Sequence, residues 1–353
     1  MDWIFVLKVA IALSPVVVAL FLFDHFDMFD LVSVRALVFY MILGAIAAAA
    51  AYNVNGHVLD GLPIGSSNYS RFIAPIVEEA LKAAAIIALF AFNRIGFKLD
   101  AAVIGFALGA GFSILENIFY LETYPTAMIG VWIVRGLGTA IMHGGSVALF
   151  AVISHEFTER QAGGRAGAYR FNPLLYVPGL IVAMAIHAAF NQFHDAPLMA
   201  MMGALLLIPL TIFLVFAKSE KATHSWLTAD FETHAHALEE IRSGRFAASE
   251  SGRQIAHLAK GFRKASAGDI FDYIAALTER IMRAEQVLLD REAGRDAHIG
   301  EPDRQAFAHL HELEARIGRA VLRALRPHLS FSRNDLWEMG KLEEMTGGRK
   351  AKR

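Results

Sequence analysis

Two adjacent glutamates, Glu78 and Glu79, interrupt an apolar run from Phe72 to Phe92 that is otherwise long enough to cross a bilayer, and Lys82 follows one turn later. Each of the three charges costs about 2.5 to 3.5 kcal/mol near the middle of a membrane, whereas each Leu, Ile, Val or Phe of the run returns only about 0.3 to 0.6 kcal/mol. The run is therefore a poor lone span. Its charges must face a protein interior or a wet cavity, so other helices have to fold around them.

The net charge of -1 suggests an ordinary soluble protein, but the charges are unevenly placed. Of 67 Asp, Glu, Lys and Arg, only 23 fall in residues 1–217, and the other 44 fall in the last 136 residues. With a mean hydropathy of +0.42, this predicts an all-α chain in two domains: a polytopic transmembrane helix bundle over 1–217 and a soluble helical bundle over 218–353. The chain has no cysteine, which removes disulfides, thiolate metal sites and cysteine nucleophiles.

Seven spans of about 20 residues are predicted: Ile4–Phe23, Val34–Val54, Phe72–Phe92, Ala101–Leu121, Val131–Ile153, Leu174–Phe193 and Pro197–Ala217. The first begins with Met1-Asp2-Trp3 and is followed by Asp24-His25 rather than small residues, so it reads as an anchor and not a cleaved signal. Basic residues cluster in alternate connections: Arg94 and Lys98, then Arg160, Arg165 and Arg170, then Lys218 and Lys221; Arg71 is the exception. The positive-inside rule then puts the N-terminus outside and the C-terminal domain in the cytoplasm, with the chain in the inner, cytoplasmic membrane.

Beyond Trp226 the apolar residues step by three and four. Ile270, Ile274, Leu277, Ile281, Ala284 and Leu288 form one stripe, and Leu310, Leu313, Ile317, Val321 and Ala324 another. The histidines of this region (His224, His234, His236, His257, His298, His309, His311 and His328) are expected on solvated faces, with no catalytic grouping among them. The tail from Gly347 to Arg353 is expected to be disordered, with basic residues able to touch anionic lipid.

The membrane half holds the chemistry-capable groups. Glu78 and Lys82 share a helix face, and Glu79 also reaches Lys82. Pro75, one turn earlier, is expected to kink the helix and free a carbonyl. Phe112, Glu116, Asn117 and Tyr120 follow a small-residue stripe of Gly105, Gly109 and Gly111 that suits close packing. Arg135, Thr139 and His143 lie at steps of four, as do His187 and Asn191. Counted from span ends, Glu78, Glu116 and His187 all lie about 8 to 10 Å below the outer boundary, a layer that Arg135 also fits, while His143 falls about two turns deeper. Each group has a structural alternative, a buried ion pair or interhelical glue. Their joint occurrence is the informative feature.

In that order on successive spans, Glu78-Glu79-x-x-Lys82, Phe112-x-x-x-Glu116-Asn117, His143 and His187-x-x-x-Asn191 resemble the PrsW family of intramembrane proteases, itself similar to the CAAX prenyl endopeptidase and bacteriocin-processing group. Lys82 and Glu116 stand where that wider group has an arginine one residue later and a histidine, which favours the PrsW branch over prenyl-protein substrates. The resemblance implies peptide hydrolysis by an activated water. Glu78 would be the general base, and Glu79 and Lys82 would orient it. Glu116 and His143 would hold the water, and His187 with Asn191 would stabilise the oxyanion, with Asn117 and Arg135 in support. Glu78, Glu116, His143 and His187 also make a plausible zinc set, so a metal-dependent variant stays open.

The expected partners are the lipid bilayer and single-pass or tail-anchored membrane proteins as substrates, with a cytoplasmic partner for 218–353 and no nucleic acid. A proton- or ion-coupled transporter and a noncatalytic membrane receptor are the alternatives; against the first, the two halves of the membrane domain show no inverted repeat.

Overall fold

The computed structural model describes residues 3–26, 33–162, 171–193, 195–262, 266–329 and 331–347. Arg165, Arg170 and the tail beyond Gly347 lie outside the described residues, as do the side chains of Lys218 and Lys221. Regular secondary structure among the described residues is helical throughout. The chain divides into two compact units, one of Met1–Thr158 with Phe171–Glu220 and the other of Glu159–Arg170 with Lys221–Arg353.

The first unit contains α1 (Trp3–Phe26), α2 (Val34–Gly61), α3 (Ala74–Ala91), α4 (Lys98–Thr123), α5 (Ala140–Ala162), α6 (Val177–Gln192) and the first part of α7 (Pro197–Arg242). Five stretches are long and apolar enough to cross a membrane: Val34–Gly61, Lys98–Thr123, Ile129–Gln161, Pro173–Gln192 and Pro197–Leu214. Bulky apolar residues on them stay exposed at helical spacing, such as Val38, Ile42 and Ile46 on α2 and Met199, Met202, Leu206, Leu210 and Phe213 on α7. Faces of that kind belong in lipid, and this is a multi-pass membrane protein.

Two of the seven expected spans are not among the five. In α1 (Trp3–Phe26) only Trp3–Pro15 forms an unbroken stretch of described side chains, so the expected span Ile4–Phe23 extends outside them. The other, α3, is an 18-residue helix carrying Glu78, Glu79 and Lys82, two of which are fully enclosed by neighbouring helices. Its start bears on the expectation for Pro75. Helical backbone runs unbroken from Ser66 through Pro75, and the carbonyl of Ser70, five residues before the proline, accepts from the Asn191 side chain. The irregularity comes just before it, where Tyr69–Ile73 form a π-helical turn.

Glycines let α4 pass against its neighbours at backbone distance. A Cβ at Gly109 would stand 2.2 Å from the carbonyl oxygen of His143, and one at Gly111 would stand 2.0 Å from that of Met41. The small-residue stripe therefore brings α4 onto both α2 and α5.

The second unit has its own core. The helices α8 (Glu250–Lys260), α9 (Ala267–Glu292), α10 (Glu301–Ile317), α11 (Arg319–Leu325) and α12 (Arg333–Met345) bury Ile270, Ile274, Leu277, Ile281, Leu310, Leu313, Ile317, Met339 and Leu342 together. Ser266 and Ser332 start α9 and α12 with capping boxes to Asp269 and Asp335. The second stripe is not one continuous helix. Gly318, at φ 83°, separates α10 from α11, and the break turns Leu325 inward in place of Ala324.

Candidate functional site

The π-helical turn before Pro75 leads into the acid pair. Glu79 is buried and its carboxylate is saturated: Lys82 Nζ donates to Oε1 at 2.7 Å, His187 Nδ1 donates to Oε1 at 2.8 Å, and Ser146 Oγ donates to Oε2 at 3.4 Å. Glu78 is served differently. Asn55 Nδ2 donates to its Oε1 at 3.2 Å, and the Tyr69 hydroxyl holds Asn55 Oδ1 at 2.8 Å. Glu78 Oε2 is buried without a hydrogen-bond partner and lies 3.8 Å from His187 Nε2.

Because Glu79 takes the Nδ1–H of His187, the Nε2 lone pair is presented toward Glu78. Neighbouring glutamates thus have opposite surroundings, one locked and one with a free oxygen. Rotation of about 100° between adjacent helical positions separates them.

Glu116 belongs to the same layer. His143 Nε2 lies 3.0 Å from Glu116 Oε2, and its Nδ1 accepts from Lys82 Nζ at 2.7 Å. Phe112 covers both partners, 3.9 Å below the Lys82 ammonium and 5.1 Å from the His143 ring. The rings of His143 and His187 meet edge to face at 4.7 Å. Arg135 Nη2 lies 3.2 Å from Glu116 Oε2, within ion-pair range but not aligned for a hydrogen bond. Its Nε donates to Asn117 Oδ1 at 2.9 Å, its guanidinium lies 3.6 Å from the Tyr120 ring, and Asn117 Nδ2 donates to the carbonyl of Ala12 at 3.1 Å. Asn117 is therefore a strut between Arg135 and α1.

Two expectations need correction. His143 is not two turns deeper than the acids but in contact with Glu116 and Lys82. Counting from span ends fails because the stretch Ile129–Gln161 is 33 residues long, more than a bilayer requires, and because Val134–Thr139 is π-helical, which breaks the step-of-four face. Asn191 also differs from expectation: its Nδ2 donates to the carbonyl of Ser70 at 2.8 Å, tying the end of α6 to the π-helical turn. Asn55, Tyr69 and Ser146 join the site unforeseen. For Asn55 the signal was a side-chain amide one residue past the apolar run Val34–Val54.

A multi-pass helical protein whose spans enclose glutamates, imidazoles and a saturated ion pair has the parts of an intramembrane hydrolase. Residues 32–217 match the PrsW-protease family, described as PrsW family intramembrane metalloprotease. The match covers more than half of the 353 residues, and the chain belongs to that family of intramembrane proteases. No curated protein and no solved structure matches it.

The family description raises the question of a metal, and the residues fit one. Glu78, His143 and His187 each bring a donor atom, all within 4.8 Å of one another. Glu78 Oε2 lacks a partner, and Glu79 fixes the ring of His187 as a carboxylate behind a metal-bound histidine would. Glu116, the fourth member expected, is not in this group but serves as the partner of His143.

Proposed function

We propose that this protease hydrolyses peptide bonds of membrane-anchored proteins near the outer side of the cytoplasmic membrane, with Glu78 as general base. The observation that carries the reading is the free Glu78 Oε2 opposite the Nε2 lone pair of His187, 3.8 Å away. The two atoms are too far apart to hydrogen-bond each other and close enough for one water to touch both. Both are acceptors, so such a water donates its two hydrogens to them and turns its lone pairs toward a substrate carbonyl.

Glu78 takes one proton as the water oxygen attacks the carbonyl carbon. It returns that proton to the amide nitrogen as the C–N bond breaks. Glu79, held by Lys82 and Ser146, keeps His187 in its tautomer, and Asn55 with Tyr69 aims Glu78. Asn191 acts as a positioning residue through Ser70 rather than as an oxyanion donor.

The family's description favours a second reading, in which Glu78, His143 and His187 hold a divalent ion such as zinc. The ion would supply Lewis acidity to a water and to the scissile carbonyl. His143 would bind the ion through Nδ1 in place of the contact with Lys82, keep its Nε2–H on Glu116, and leave Glu116, beside Arg135, as the carboxylate orienting it. Metal analysis of purified, active protein separates the readings. About one ion per chain, lost together with activity in Glu78→Gln, supports the metal. Activity that survives chelators and vanishes in Glu78→Gln supports the general base.

In this proposal the N-terminus is outside and residues 218–353 form a cytoplasmic domain with room for a partner. Substrates are single-pass or tail-anchored proteins whose outer juxtamembrane end unwinds readily, because a helical peptide bond is already hydrogen-bonded. Mass spectrometry of the cleavage products tests the depth. Termini within about 10 Å of the outer boundary are expected from the rise per residue, and termini in the cytoplasmic third of the span would overturn the topology.

A further inference from the structure

The second unit gathers five ionisable side chains that the proteolytic reading does not use. Asp230 and His234 stand one turn apart on α7, Glu285 is on α9, and Asp335 and Glu338 are one turn apart on α12. All except Asp230 are buried, which corrects the expectation of a solvated His234. The sequence hid this because His234 lies on a polar helix face whose partners come from two other helices.

His234 Nδ1 donates to Glu285 Oε1 at 2.8 Å, and its Nε2 lies 3.5 Å from Asp335 Oδ2. Asp335 is held in place by the cap of α12, with the Ser332 hydroxyl on Oδ1 at 2.5 Å and the Ser332 N–H on Oδ2 at 2.6 Å. The remaining carboxyls lack such support. Glu285 Oε2 and both oxygens of Glu338 are buried without a hydrogen-bond partner, and Glu338 is only 2% exposed.

Glu338 follows Asp335 by one turn on the same face of α12. One imidazole among four carboxyls leaves three orphaned oxygens. Natural proteins keep few such groups unless something occupies them.

We propose that this cluster is a second metal site, distinct from the membrane-embedded one, that takes a divalent first-row transition ion through His234, Glu285 and Asp335, with Glu338 and Asp230 completing its shell. The donor atoms of the first three already lie within 4.8 Å of one another. An imidazole nitrogen with several carboxylates suits manganese, iron or zinc, whereas calcium and magnesium favour all-oxygen shells. An ion here would satisfy the orphaned oxygens and tie α7, α9 and α12 together. The assignment does not depend on the proteolytic reading, since no residue is shared.

The test uses the full-length protein in detergent carrying His143→Ala and His187→Ala, which removes the membrane donors, with Mn²⁺ as the probe. About one saturable Mn²⁺ per chain is expected. Spin-echo spectroscopy should show an imidazole nitrogen coupled to the bound ion, and the melting temperature of the second unit should rise by roughly 5 °C or more at saturation. Adding Glu285→Gln or Glu338→Gln to that background should weaken binding at least about tenfold.

Absence of saturable Mn²⁺ binding to the folded protein would overturn the proposal, as would a bound ion without nitrogen coupling. Unchanged affinity in both glutamine variants would do the same. Should either variant fail to fold, the ion count and nitrogen coupling of the background protein still decide.

Discussion

The two units bury the same kinds of side chain, glutamates with imidazoles, and settle their charges in opposite ways. In the first, the locked carboxylate of Glu79 has its cation in the sequence: Lys82 at 2.7 Å, with His187 and Ser146 filling the remaining positions. Glu116 has Arg135 and His143 beside it. Among the described glutamate oxygens of this site, the buried one that stays open is Glu78 Oε2. In the second unit His234 stands among Asp230, Glu285, Asp335 and Glu338, and three carboxylate oxygens stay open.

A single open oxygen in a compensated setting suits a base that must take up and release a proton. Several open oxygens around one imidazole suit an ion supplied from outside. Low dielectric raises the stakes in both, because an unpaired buried charge is costly in either place.

The largest expected effect tests the single open oxygen. Glu78→Gln keeps the shape and removes the base, so proteolysis of a reconstituted single-pass substrate should fall by about 10² to 10⁴ with insertion unchanged. Near-normal cleavage would mean that the open oxygen is incidental.

The compensated pair comes next. Lys82→Met leaves Glu79 buried without its cation and should destabilise the membrane unit by about 3 to 5 kcal/mol, read by thermal denaturation in detergent. Adding Glu79→Gln should recover a large part of that loss, because both charges are then gone. Strictly additive losses would show that the two side chains do not compensate each other.

Asn191→Ala should be milder. It removes a hydrogen bond to the Ser70 carbonyl, worth about 0.5 to 1.5 kcal/mol, and lowers activity by less than about tenfold. A drop in kcat of about 10² to 10³ with unchanged KM would instead restore Asn191 to the oxyanion.

The smallest effect lies in the second unit. His311 bridges Glu343 and Glu314; burial opposes its charge, but hydrogen bonds to Glu343 and then Glu314 raise its pKa. A raised histidine stabilises fully below its unfolded value, near about 6.5, and the contribution disappears as pH climbs through the folded value. His311→Gln should therefore cost more at pH 6 than at pH 9, by less than about 1 kcal/mol at a half-buried bridge that solvent still screens. An equal cost at both values would point to packing alone.

Much of this molecule could be read from local pattern. Apolar length marked the spans, heptad-like steps marked the buried stripe of α9, and three charges in a run that could not cross alone marked where a site had to be. Glycine spacing at Gly109 and Gly111 foretold close packing of α4.

Partners distant in sequence decided the rest. Glu78 and Glu79 are adjacent and chemically identical, and His187 and Ser146, 108 and 67 residues beyond Glu79, complete the partners of one while an oxygen of the other stays open. Lys82 meets His143 across 61 residues, and a π-helical turn that no periodicity announces sets where His143 falls. His234 is solvated by its own helix pattern and buried by helices 51 and about 100 residues further along the chain. Sequence fixes what each side chain can do and which surface must leave water, because those depend on the residue and its nearest neighbours. Whether a carboxylate is neutralised, oriented or left open depends on what packs across from it, and that is known only once the helices have met.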